Sequence, residues 1–114
     1  MLCAGSWSPS ANSQNEWILV EFETLHRVQA VSALGRPDAS LAQYVTAFNL
    51  TSSLDGINFV QPVTGSGNLW GPAHLVSAEL SVALVGRYFR LRPLVWNNQI
   101  AMRFDFKGCQ SKLL

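Results

Sequence analysis

The chain has 114 residues, the length of one domain. Hydrophobic residues make up 48% and charged ones 13%, against about 25% charged in an average domain, which excludes a chain kept unfolded by its own charge. A net charge of +1 argues against a nucleic-acid partner, which needs a clustered basic face to displace phosphate counterions.

Apolar stretches such as 80–86 fall far below the roughly 18–20 residues of a membrane span. The first residues combine no basic cluster with an apolar run, so no signal peptide is readable. Cys3 and Cys109 sit near opposite ends. A bridge between them would be worth about 4–5 kcal/mol by chain entropy; two unrelated thiols are the alternative, because pairing is not legible in sequence. With only His26 and His74, neither at ligand spacing from a cysteine, no zinc site is expected.

Trp17 to Phe22 alternates, with Ile18, Val20 and Phe22 on one face and Glu21 on the other, which predicts a strand. Glu21 and Glu23 share the outward parity of a solvated face. Arg27 to Leu34 predicts a second strand, in which the three-residue spacing of Val28 and Val31 requires a bulge. Tyr44 to Ser52 predicts a third, with Phe48 and Leu50 inward and Asn49 and Thr51 outward. It runs into Asp55-Gly56, a hairpin signal because such turns need φ > 0. A short strand, Ile57 to Val60, is expected next, then a loop from Thr64 to Pro72. Ala73 to Leu80, Gly86 to Arg92 and Ile100 to Lys107 complete the strands. In the last of these Met102, Phe104 and Phe106 share the parity of Ile100. No segment holds a helical apolar stripe, and there is no internal repeat or linker. Short strands between turn residues indicate an all-β antiparallel sandwich or barrel.

Several of these segments, taken in order, resemble the discoidin domain, also called the coagulation factor 5/8 type C domain. Gly5-Ser6-Trp7 and Trp17 to Phe22 are similar to its tryptophan turn and opening strand. Gly35-Arg36-Pro37-Asp38 with Tyr44 to Phe48 resembles the next loop and strand, and Ser53 to Gly56 with Phe59 its hairpin. Arg87 to Leu91, Pro93, Trp96-Asn97 and Ile100 to Cys109 resemble the last two strands. The resemblance implies an eight-stranded jelly-roll β-sandwich of the galactose-binding type, in an extracellular or cell-surface adhesion or ligand-binding module. Members bind anionic phospholipid, collagen, sugars or protein receptors through loops at one end, so fold alone does not name the ligand. The family's first strand and first binding loop have no counterpart before Trp7, so 1–114 is expected to be one domain incomplete at its N-terminus. The usual partner of the terminal cysteine lies in that part, and Cys3 is not its obvious equivalent.

No nucleophile elbow, metal-protease motif or phosphate loop occurs, and the glycines at 65, 67 and 71 lack the lysine a phosphate loop needs. No catalysis, cofactor or metal is expected. Arg87 and Arg103, set among large apolar residues, are expected to be buried and paired with Glu21 or Asp105. Arg36 precedes Pro37-Asp38 in a turn and is read either as a ligand residue or as a brace to Asp38. Trp70 in the Gly-rich loop is read as an exposed ring or as one folded over the sandwich edge; Trp7, Trp17 and Trp96 are read as packing. Asn49-Leu50-Thr51 is a glycosylation sequon. The expected ligand residues are Arg36, Asp38, Leu41, Asn68 and Trp70, with a carbohydrate or extracellular protein as partner. An anionic membrane is less favoured, since Ala39, Ser40 and Leu41 form a small apolar tip with a single base beside it. A structural role, packing against neighbouring domains, is the alternative.

Overall fold

The computed structural model describes residues 11–34, 44–66, 76–97, 100 and 103–110. These form five strands: β1 (Ile18–Leu34), β2 (Tyr44–Ser53), β3 (Val63–Ser66), β4 (Val76–Asn97) and β5 (Arg103–Gln110). Every pairing is antiparallel, in the order β2-β3-β4-β1-β5 with β2 also bonded to β4. Among the described residues there is no helix.

The two longest strands, β1 and β4, form a ribbon that folds on itself. Residues 18–21 pair with 88–91, 26–28 with 84–86, and 30–33 with 76–79. Extra residues bulge from β1 between Glu21 and His26, and from β4 opposite the Val28–Ala30 step. Such irregularities bend strands. A straight ribbon would hold Ala78 and Leu91 roughly 40 Å apart, yet both are buried in one apolar cluster. The ribbon therefore supplies both layers of a sandwich, with Val28 and Val31 facing Phe48, Leu50, Phe89 and Leu91 across the core. Rings of Phe22, Phe89 and Phe106 meet edge-on or tilted, with centroids 5.6–6.1 Å apart. Against β5, Val28 pairs with Gly108 and Ala30 with Lys107, so Gln29 is the extra β1 residue; this is the bulge that the spacing of Val28 and Val31 requires, and both side chains are buried.

Three expectations change. The segments 17–22 and 27–34 are one bent strand, as are 76–80 and 86–92, because neighbouring backbone bonds continue past each corner. The segment 57–60 is not a strand: only Phe59 bridges back, to Ser53, and Ile57 is 80% exposed. Residues 64–66, expected in a loop, instead belong to β3, which pairs with 47–50. The cause is local. The Asp55 carboxylate accepts bonds from the Ile57 and Asn58 amides, the Ser53 hydroxyl and the Asn58 side chain, while Gly56 takes φ 80°. This wide turn consumes most of the residues a tight hairpin would have paired; past the Ser53–Phe59 bridge, the ladder resumes at Val63.

Candidate functional site

Strand register determines which connections gather at one end. Tyr44 pairs with Asn97, Leu34 with Arg103, Ala33 with Val76 and Ala47 with Ser66. The link 98–102 joins Asn97 to Arg103 and reaches at most about 20 Å, so these paired strand ends lie at one end of the sandwich. The connections 35–43, 67–75 and 98–102 are all anchored there. The N-terminal segment is tied to the same region: Gln14 donates to the Leu94 carbonyl at 2.8 Å, and the Ile100 amide donates to Asn12 Oδ1 at 2.9 Å. The ribbon corner and the Asp55 turn lie at the other end, where Leu54, Val60, Val82 and Val85 are exposed. There Val60, Val63, Val82, Leu84 and Val85 line an open groove of about 510 Å³.

The flank between the two ends has its own chemistry. On β4, Phe89, Leu91 and Pro93 point into the core, so Arg90 and Arg92 point out. Thr51 and Asn49 oppose them on β2. The Arg90 guanidinium lies 4.2 Å from the Phe59 ring centre and 5.7 Å from that of Trp17. Asn49, Thr51, Pro62, Arg90 and Arg92 line a small recess of about 30 Å³. Further along, Arg87 meets Glu21 at 3.5 Å and donates from Nε to the Phe22 carbonyl at 3.2 Å. The expected pairing with Glu21 forms, but at the surface: Arg87 sits on the bulged part of the ribbon, where no layer covers it. The Asp55 carboxyl is held well below the usual range by the two amides and two side chains that donate to it.

The F5/8 type C domain model matches residues 3–106. The chain belongs to the F5/8 type C domain family. It is 31% identical over 115 residues to coagulation factor VIII of Canis lupus familiaris, covering 94% of this chain and 5% of that protein. Lactadherin of Rattus norvegicus is 30% identical over 110 residues, covering 91% of this chain and 26% of that protein. The chain thus spans a small part of the relatives it matches. In structure it is similar to discoidin II from Dictyostelium discoideum, with a TM-score of 0.75 at 24% identity over 94% of this chain and 42% of that one. The fold is the discoidin type of β-sandwich.

Of the residues singled out in this F5/8 type C domain, Arg36, Asp38, Leu41, Asn68, Trp70, Cys3, Trp7 and His74 lie outside the described residues. Asn49 is half-buried on β2 between Thr64 of β3 and Arg92 of β4, and the hydroxyl of its sequon residue Thr51 is buried and donates to the Val60 carbonyl. Cys109 is exposed on β5 opposite Arg27, beside a recess of about 200 Å³ that Phe22 and His26 also line. Trp96 packs against the core as expected. Trp17 does not: it is 48% exposed, with Arg90 rather than core residues at its ring. Arg92 and Trp17 are neighbours only through the pairing of β4 with β1. The alternation of Arg90, Leu91 and Arg92 was the available signal, but the strand beside them was not.

Proposed function

We propose that this domain is a non-catalytic, extracellular or cell-surface module that binds a carbohydrate or protein ligand through the loops at one end of the sandwich. The observation that carries this reading is the register, which anchors 35–43 and 67–75 at the same end. Those segments contain Arg36, Asp38, Leu41, Asn68 and Trp70, a set offering a charge pair, an amide and an aromatic platform. Family membership supports a binding role over a catalytic one. A phospholipid surface fits less well, because the loop sequence at 39–41 is small and weakly apolar.

A glycan and extracellular-protein binding screen, followed by Arg36→Ala and Trp70→Ala, tests the reading. Each substitution is expected to weaken binding of the ligand found while moving the thermal midpoint little, since exposed loop changes fall within about 0.5 kcal/mol. Unchanged affinity in both variants refutes the site, and loss of folding in either assigns that residue to the framework.

A second reading rests on the opposite end. Val60, Val82 and Val85 are exposed together around an apolar groove, which supports packing of this end against a neighbouring domain.

A further inference from the structure

The flank of the sandwich holds a polar and aromatic row unconnected with the end loops. Asn49 pairs with Thr64 on one side and Arg92 on the other. Continuing the Ile18–Leu91 register by one residue sets Trp17 beside Arg92. Thr64, Asn49, Arg92 and Trp17 therefore cross the outer face in line, over three strand spacings or roughly 14 Å.

Three features of this row point to a ligand. The Nε of Arg92 is buried with no hydrogen-bond partner among the described residues, a state that native structures avoid because an unsatisfied cationic donor is costly. The recess it lines with Asn49 is about 30 Å³, the volume share of a single water or one anionic oxygen. No carboxylate pairs with Arg90 or Arg92 among the described residues. Arg90 is held against Phe59 and Trp17, so a second positive charge is fixed beside the recess with little freedom left to lose. Next to this charge the Trp17 indole stands half in solvent, the flat apolar surface on which a sugar ring stacks.

We propose that this row binds an anionic saccharide, with a sulfate or carboxylate oxygen between Asn49 and Arg92 and the sugar ring on Trp17. A forked guanidinium and an amide recognise an oxoanion by direction as well as charge. The row crosses the strands of one sheet face, with its aromatic ring beside the charge, an arrangement suited to a chain laid across strands. The site is separate from the end loops and stands or falls without them.

The test is titration of the whole chain with chondroitin sulfate oligosaccharides, with their desulfated counterparts, and with phosphatidylserine vesicles. The sulfated probe is expected to bind and the desulfated one to bind at least tenfold more weakly. Arg92→Gln, Asn49→Asp and Trp17→Leu are each expected to cost at least tenfold with the thermal midpoint held, whereas Lys107→Gln, an exposed base on β5, leaves affinity unchanged. Should Trp17→Leu fail to fold, Asn49→Asp and Arg92→Gln still decide. Any of four results overturns the proposal: no binding of the sulfated probe, equal binding of the desulfated one, parental affinity in folded Arg92→Gln, or vesicle binding lost through the same residues in place of saccharide binding.

Discussion

Gly108 is exposed on β5, and an exposed position ordinarily tolerates alanine within about 0.5 kcal/mol. The structure requires otherwise here. A Cβ at Gly108 would lie within the van der Waals shell of the Arg27 carbonyl oxygen, 2.8 Å from its carbon and 3.0 Å from Val28 Cα. All three are backbone atoms of β1 at a register shift, so no side-chain rotation relieves the overlap. β5 must move outward by about 1 Å or more, a displacement of the kind that costs 1–3 kcal/mol in overpacked cores. The adjacent Arg27–Cys109 and Ala30–Lys107 pairs loosen with it, at about 1 kcal/mol for each backbone bond lost. The sum for Gly108→Ala is about 3 kcal/mol, a large part of the 5–15 kcal/mol that holds a domain together. At 4–8 °C per kcal/mol the melting midpoint should fall by about 12–24 °C. Urea unfolding followed by tryptophan fluorescence measures the free-energy loss, and a thermal melt the shift in midpoint. Gly86→Ala, whose Cβ meets the Ser53 carbonyl oxygen at 2.8 Å, should cost less. Gly56→Ala should cost about 1 kcal/mol, from its positive φ, since the nearby Tyr88 ring can shift. A Gly108→Ala protein within 0.5 kcal/mol of the parent would refute the reasoning.

Truncating Phe48, which is fully buried between the layers, is expected to cost 3–5 kcal/mol, read as a shift in urea midpoint at constant slope. Because the folded-state pKa of Asp55 is depressed, its contribution is present above the unfolded carboxylate value near 4 and is lost as pH falls below that. Urea midpoints at pH 7, 4 and 3 should therefore drop for the parent more steeply than for Asp55→Asn, which starts lower at pH 7. The Arg87–Glu21 pair is half in solvent, so a double-mutant cycle should return a coupling under about 1 kcal/mol, shrinking in high salt.

Much of the frame was legible because apolar alternation is a local property. Phe48 and Leu50 on β2, and Phe89 and Leu91 on β4, face inward as their parity requires. The spacing of Val28 and Val31 was sufficient to demand the bulge between Val28 and Ala30. What was not legible depends on partners distant in sequence. The segment 57–60 has strand-like residues, but the Asp55 carboxylate captures the amides of Ile57 and Asn58 first. β3 runs through Gly65, a poor strand former, because β2 offers a free edge there. Trp17 shares the parity of Glu21, and only the family resemblance marked it as packing; it is 48% exposed, with the Arg90 guanidinium 5.7 Å from its ring centre. For the end site, residue chemistry suggested the loops, and only the pairing of distant strands brought their anchors together.

The folded ribbon also bears on how the chain is made. More than forty residues separate each residue of β1 from its partner in β4. At 5–20 residues per second a nascent chain needs several seconds to produce those partners. Through that interval β1, with its Ile, Leu, Val and Phe residues, has neither of its two neighbours, since β5 is later still. Such an unpaired apolar strand is a template for wrong pairing with another chain. Contacts this distant in sequence also make folding slow, in the millisecond-to-second range. The same wrapping that brings these distant strand ends together thus leaves β1 as the segment most in need of protection while the rest of the chain is made.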